Sequence, residues 1–248
     1  AATAIQFSPN GRFICVQGDG EYSVYTAVAW RNRAFGKSLD FVWAAASVGN
    51  NVFAVRDSPN TIRVFEDFQE CMVIKTDVTI DRIYGNGSVL AASGSGYCLF
   101  YDYRTGELIQ AIEQDVNAVA FSEPTGSGWS AALMAEPRGL YIVSVDPSDG
   151  GELNVVFKAE EERVRGGGIW IDSRAFVFTS ADSGKICYWL AASVAGGIQS
   201  QAVQLVAVTD AVSLTPLGYY EDRLYFMTMA GGADMALRSV SLPVALIA

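Results

Sequence analysis

Residues 80–112 read IDRIYGNGSVLAASGSGYCLFYDYRTGELIQAI, and the predicted fold class follows from them. Four short runs rich in apolar residues, 80–84, 89–93, 97–101 and 108–112, alternate with turn-forming segments that contain glycine. Runs of this length, bounded by Gly, Asn, Asp and Ser, are typical of antiparallel strands joined by hairpins. These residues therefore predict a four-stranded sheet with 80–84 as its inner strand and 108–112 as its outer strand.

The same unit recurs along the chain, and its third strand is the easiest part to align. The repeats are spaced by roughly 36 to 50 residues, near the length of about 40 to 45 that is usual for a four-stranded propeller blade. In the best-preserved repeat, Tyr101-Asp102 stands where WD40 repeats usually have Trp-Asp. We predict an all-β, WD40-like β-propeller with six blade units, part of a seven-bladed ring, although six blades could also close one. The six third strands are 22–25, 62–65, 98–101, 140–143, 186–189 and 237–240.

Residues 1–248 are expected to form a single propeller domain that is a fragment of a larger multidomain chain. One segment, 158–168, does not fit the blade scheme because it joins the charge run Glu160-Glu161-Glu162-Arg163 to Gly166-Gly167-Gly168. This composition predicts a surface loop or an insertion.

Composition excludes several classes of function. The chain has no histidine, so catalytic triads, imidazole bases and histidine-containing zinc sites are ruled out. Its net charge of -10 disfavours nucleic acid as a partner. Charged residues and glycine interrupt every apolar run, so no membrane insertion is expected. We predict that the protein is not an enzyme and has no catalytic, metal or cofactor-binding residue.

Two partial motifs do not change that prediction. Gly36-Lys37-Ser38 resembles the end of a phosphate-binding loop, but Arg31 occupies the position where the loop needs a glycine. Residues 146–152 faintly resemble a calcium loop with its acidic residues at the wrong intervals, which indicates a turn. The remaining carboxylates leave a propeller enzyme as a remote alternative.

The four cysteines, Cys15, Cys71, Cys98 and Cys187, are far apart in sequence, and each lies in an apolar run. Without a CxxC pair or tight spacing, buried reduced thiols are the favoured interpretation, and they predict a cytosolic protein.

The segment 30–37 is the candidate interaction site. It places three cations and two aromatic residues within eight positions of an acidic chain, a mixture enriched at protein-protein hot spots. The candidate partner-binding residues are Trp30, Arg31, Arg33 and Lys37. An alternative is a solvated strand edge whose cations prevent pairing with another sheet.

Several motifs resemble the second propeller of the coatomer beta-prime subunits. The similarity is strongest over the first 145 residues and continues more weakly beyond Lys158. The motifs are Phe7-Ser8-Pro9-Asn10-Gly11, Gly18-Asp19-Gly20, Trp30-Arg31-Asn32, Phe41-Val42-Trp43, Phe100-Tyr101-Asp102 and Glu107-Leu108-Ile109.

The resemblance implies a role in the COPI vesicle coat, which an Arf GTPase recruits to Golgi membranes. It implies other coatomer subunits as partners, the alpha subunit in particular, and a cytoplasmic location, peripheral on Golgi membranes and COPI vesicles. The alpha paralogue shares this architecture, so the choice between the two stays open. In that family the first propeller reads dilysine signals, and that site is not carried over to this chain.

The expected function is therefore a structural scaffold and protein-protein interaction domain in Golgi-to-ER and intra-Golgi transport. An alternative is a recognition module that captures a basic, dilysine-type peptide on an acidic propeller face.

Overall fold

The structure is a computed structural model that describes residues 1–122, 128–135, 137–145, 153–171, 175–184, 186–194, 197–204, 214–230 and 234–241. Every regular element in these ranges is a β-strand, and the strands form six antiparallel sheets, which we call blades 1 to 6 in chain order. Five blades have four strands, and the described part of blade 6 has three. The all-β prediction of six blade units is confirmed.

The chain divides into two compact units, and the first, Ala1–Val116, holds blades 1 to 3. In each of these blades the strands lie side by side in chain order. The strands are β1 (Ala4–Phe7), β2 (Phe13–Gly18), β3 (Glu21–Thr26) and β4 (Asn32–Lys37) in blade 1, β5 (Asp40–Trp43), β6 (Phe53–Ser58), β7 (Thr61–Glu66) and β8 (Gln69–Lys75) in blade 2, and β9 (Arg82–Tyr84), β10 (Val89–Gly94), β11 (Tyr97–Asp102) and β12 (Leu108–Ile112) in blade 3.

The second unit, Asn117–Ala248, holds nearly all of blades 4 to 6, whose strands also follow chain order. They are β13 (Val116–Phe121), β14 (Trp129–Ala135), β15 (Leu140–Val145) and β16 (Leu153–Ala159) in blade 4, β17 (Val164–Trp170), β18 (Ala175–Ser180), β19 (Ile186–Val194) and β20 (Gly197–Gln204) in blade 5, and β21 (Leu214–Tyr220), β22 (Arg223–Ala230) and β23 (Asp234–Ser241) in blade 6.

The repeat alignment locates the third strands correctly, because each of the six predicted segments falls within the third strand of its blade. The turns are also where glycine indicates them. In the β2–β3 hairpin, Asp19 and Gly20 have φ values of 55° and 77°. Positive φ at both central residues is what a type I′ turn requires, and its twist matches that of the two strands.

The first unit has two layers of core between its blades. Blades 1 and 2 meet through aromatic rings, with the ring of Tyr22 in blade 1 lying 5.4 Å from Phe41 and 6.0 Å from Phe53 in blade 2. Blades 2 and 3 meet through aliphatic side chains, among them Ile62 and Leu90, both fully buried. Burying each face of a small sheet against its neighbour supplies the apolar burial that one blade alone lacks.

The second unit has a comparable core. Phe176 and Trp189 of blade 5 are buried with Leu140 and Ile142 of blade 4, while Leu224 of blade 6 belongs to a separate cluster with residues of blade 5.

Two sequence predictions are corrected by the structure. The expected loop at 158–168 is a short turn flanked by strand, because β16 continues to Ala159 and β17 begins at Val164. A bulge between Val164 and Gly168 admits the three glycines into β17. Cys71, expected to be buried, is exposed because it lies on β8, the outer strand of blade 2; Cys15, Cys98 and Cys187 are buried as predicted. The predicted turn at 146–152 lies outside the described residues.

Candidate interaction surface

The candidate site lies at the outer edge of blade 1. β4 is the edge strand of that sheet, and the turn before it carries Trp30 and Arg31. The side chains of all four predicted residues, Trp30, Arg31, Arg33 and Lys37, are exposed. Cations on an edge strand prevent pairing with a foreign sheet, so the edge can be exposed without inviting aggregation.

Trp30 is held in a defined conformation although it is 60% exposed. Its φ is 51°, an uncommon value for a residue with a Cβ atom, and its ring lies 6.0 Å from the ring of Tyr25. Thr26 organises the turn: its carbonyl accepts a hydrogen bond from Trp30 N at 3.0 Å, and its hydroxyl accepts one from Arg31 N at 3.0 Å. The structure thus presents an ordered aromatic side chain at this edge.

Arg33 has a contact that its sequence position does not reveal. A bulge pairs Val24 with Ala34 and Tyr25 with Asn32, so no residue of β3 lies opposite Arg33. Its guanidinium lies 5.2 Å from the ring centroid of Phe68 in the β7–β8 turn of blade 2. A cation-π contact at such an exposed site contributes about 0.5 to 1 kcal/mol. Arg33 therefore links the outer strand of blade 1 to blade 2.

Lys37 and Phe35 occupy the other side of β4. Ala34 packs against the core between blades 1 and 2, and a Cβ at Gly36 would contact Tyr22 in that same core. Because side chains alternate along a strand, Phe35 and Lys37 face away from blade 2. Phe35 is 77% exposed, and Lys37 lies opposite Glu21 of β3.

The four predicted residues do not form a single face. The side chain of Arg33 lies on the side of β4 that faces blade 2, and that of Lys37 lies on the opposite side. Phe35 lies on the exposed side with Lys37, although it is not among the four predicted residues. Strand alternation from the partly buried Ala34 is the signal that identifies it.

The described residues contain neither a group of metal ligands nor a helix that could cross a membrane. Among the described residues, no three Cys, Asp or Glu side chains are grouped closely enough to hold a metal ion. Within the same ranges there is also no helix that is long and apolar enough to cross a bilayer.

Comparison with known sequences gives a family match. A model of the COPA/B second beta-propeller family matches residues 1–212. The coatomer subunit beta'-3 of Arabidopsis thaliana is 34% identical over 207 residues, which are 77% of this chain and 22% of the relative. The probable coatomer subunit beta' of Schizosaccharomyces pombe is 42% identical over 119 residues, 48% of this chain and 14% of the relative. The aligned part of the chain thus spans between about a seventh and about a fifth of the length of these relatives.

Comparison with solved structures supports the fold alone. A complex of KlAtg21 with the coiled-coil of AgAtg16 matches with a TM-score of 0.66 at 11% identity, over 99% of this chain and 82% of that chain. Hsv2p of Kluyveromyces lactis matches with a TM-score of 0.60 at 13% identity, over 83% of this chain and 72% of that one.

Proposed function

The chain belongs to the COPA/B second beta-propeller family, and on that premise we propose that it is a structural scaffold and protein-protein interaction domain of the COPI vesicle coat. It acts in Golgi-to-ER and intra-Golgi transport, as a non-enzymatic part of a longer subunit. The single observation that carries this proposal is the family match over residues 1–212. The proposed location is the cytoplasm, peripheral on Golgi membranes and COPI vesicles.

The core of the first unit suits a scaffold. Phe41, Trp43 and Phe53 are each no more than 1% exposed and are packed ring against ring. Such aromatic pairs add about 0.5 to 1.5 kcal/mol each beyond the burial of their area. A closely packed interior keeps the outer strands in fixed positions, and a subunit that joins others in a coat needs that property.

The proposed partners are other coatomer subunits, the alpha subunit in particular, within a coat that Arf recruits to the membrane. The proposed contact residues are Trp30, Arg31, Arg33 and Lys37. Three cations within seven positions of a chain with net charge -10 would attract an acidic patch on the neighbouring subunit. Arg31 and Lys37 should contribute most to the binding of the neighbouring subunit, since Arg33 already lies over the ring of Phe68.

Charge reversal tests this surface. The double variant Arg31→Glu, Lys37→Glu in the full-length subunit should reduce co-purification with coat partners about tenfold and leave the thermal unfolding midpoint nearly unchanged, because both side chains are exposed. The matched control is Arg82→Glu, Arg104→Glu, which makes the same charge change at two exposed positions of blade 3. Full co-purification of the first variant, or equal loss in the control, would refute the proposed surface.

Arg33→Glu distinguishes a role in partner binding from a role in folding. It removes the cation from the Phe68 ring, so a loss of partner binding that accompanies a lower unfolding midpoint indicates a structural role for this residue.

The alternative function, capture of a basic peptide, is tested by calorimetric titration of the same protein with dilysine-tailed peptides. Tight, salt-sensitive binding would favour that alternative over a pure scaffold.

A further inference from the structure

The outer strands of blades 1 to 4 share an irregularity at one position of the sheet. In each of these blades, the outer strand has one extra residue opposite the last two residues of the predicted third-strand segment. The extra residues are Arg33 in β4, Cys71 in β8, Ile109 in β12 and Val156 in β16. A bulge bends an edge strand and interrupts the row of backbone groups with which another strand would pair.

The outer strand of blade 5, β20, lacks this bulge. All eight residues of β20 pair with β19 in one unbroken register, including those opposite Tyr188 and Trp189, where the other blades have the bulge. β20 is also the longest of the five described outer strands, since the others have five to seven residues. Blade 5 therefore ends in a long and regular edge.

The composition of β20 also differs from that of the other outer strands. Its sequence is GIQSQAVQ, which contains no charged residue and no proline. Among the bulged outer strands, β4, β8 and β16 carry charged residues as well, and β12, which has none, is only five residues long. Charges, prolines, bulges and short lengths are the features that keep edge strands from pairing with another chain. β20 has none of the four.

β20 has a free edge in the described part of the chain. It is the last strand of its sheet and is hydrogen-bonded to β19 alone. In an antiparallel pair, alternate residues direct their N–H and C=O groups toward the neighbouring strand, and the residues between them direct theirs away from it. Every second residue of β20 therefore presents a backbone donor and acceptor that a further strand can use.

We propose that β20 is a strand-addition site, at which an extended, uncharged segment of another coat subunit pairs with the free edge of blade 5 as a fifth strand. This rests on the proposed function, because the occupant comes from the coat. A second copy of this chain is a poorer occupant, since two chains of net charge -10 repel each other. The segment is uncharged because a charged residue gains nothing opposite the glutamine and aliphatic residues of β20. Main-chain hydrogen bonds provide the affinity in this mode of recognition.

Hydrogen–deuterium exchange resolved to single amides tests the proposal in the full-length subunit, alone and in the assembled coat complex. Strand addition should slow the exchange of alternate amides of β20 at least about tenfold on assembly, because only the outward N–H groups gain a partner. The amides of β12, the bulged outer strand of blade 3, are the internal control and should not gain this alternating pattern.

Lysine substitution provides a second measurement on the same complex. The double variant Gln199→Lys, Gln201→Lys places two cations on the edge strand and should abolish the alternating protection of β20. The matched control is Gln69→Lys, Gln110→Lys, which makes the same charge change at two exposed glutamines on the outer strands of blades 2 and 3. This control should keep the protection of β20 intact.

Each other outcome overturns the proposal. Unchanged exchange in β20 on assembly would show that the edge stays open in the coat. Protection already present in the isolated subunit would assign the edge to another part of the same polypeptide, or to a second copy if the protection increases with protein concentration. Equal slowing of every amide of β20 would indicate general burial without strand pairing. An assembled complex with an unprotected β20 refutes this proposal alone, whereas failure to assemble refutes the proposed function and this proposal together.

Discussion

Replacing Arg56 with methionine should destabilise the chain markedly, because this side chain holds together three parts of the first unit. Its Nε and one terminal nitrogen donate to Oδ2 of Asp40 at 3.2 and 3.1 Å, and its other terminal nitrogen donates to the Ile80 carbonyl at 3.0 Å. The Arg56 side chain is 12% exposed and that of Asp40 31%. Methionine keeps much of the apolar volume of the side chain but removes every donor.

The expected loss of unfolding free energy comes from the two groups that lose their partner, the Asp40 carboxylate and the Ile80 carbonyl. Removal of one partner from a fully buried ion pair costs about 3 to 5 kcal/mol. Asp40 retains some contact with water, which reduces its share to about 2 kcal/mol, and an unsatisfied Ile80 carbonyl adds about 1 kcal/mol. A total near 3 kcal/mol corresponds to a decrease of about 6 to 12 °C in the unfolding midpoint of a chain of this size.

Arg63→Met is the matched control, one strand away in the same blade. Arg63 contacts Asp57 and lies 2.8 Å from Glu70, but its side chain is 38% exposed. Exposed pairs contribute about 0.2 to 1 kcal/mol each, so loss of both pairs should lower the midpoint by about 1 to 8 °C, less than the decrease in Arg56→Met. Both are measured by circular dichroism at one scan rate. If Arg63→Met lowers the midpoint as much as Arg56→Met, burial is not what sets the strength of these pairs.

Two further predictions concern packing and pH. Gly94→Ala should cost about 3 kcal/mol or more in urea unfolding, because a Cβ at this position would meet the Thr79 carbonyl and lie 2.9 Å from the backbone nitrogen of Asp81; Gly218→Ala, where nothing lies within 4 Å, should be nearly neutral. Burial raises the pKa of the Cys98 thiol from 9.0 to about 12, so the unfolded chain releases this proton at lower pH than the folded chain does. The free energy of unfolding should therefore fall as pH rises from about 9 towards about 12, and less steeply in Cys98→Ala; equal slopes in urea titrations would contradict the assignment.

Much of the fold could be predicted from the sequence because its signals are local. In blade 3, the predicted strands 89–93, 97–101 and 108–112 differ from β10, β11 and β12 by at most one residue at an end. Glycine and asparagine positions mark hairpins since few other residues adopt positive φ readily, as at Asn86 and Gly96. The inner strand was predicted two residues too long, because Ile80 is a buried apolar residue outside the ladder.

The errors arise where one-dimensional patterns do not report position in a sheet. Cys71 lies in an apolar run like the other cysteines, but β8 is an outer strand and has no neighbour beyond it. The glycines of 166–168 signal a loop, whereas in β17 they allow a bulge where a Cβ at Gly168 would strike Phe176. Tertiary contact overrides local propensity at both sites.

The candidate site also shows that the sequence pattern does not report on which side of a strand a residue lies. A cation next to aromatic residues is the composition of a partner-binding hot spot, and it is also how the first unit joins two of its own blades through Arg33 and Phe68. Composition alone does not distinguish these uses, because the distinction depends on which side of β4 a residue occupies. Since alternation assigns Phe35 and Lys37 to the side away from blade 2, a partner that recognises this edge should gain its energy there, and the double variant at Arg31 and Lys37 should weaken binding more than Arg33→Glu.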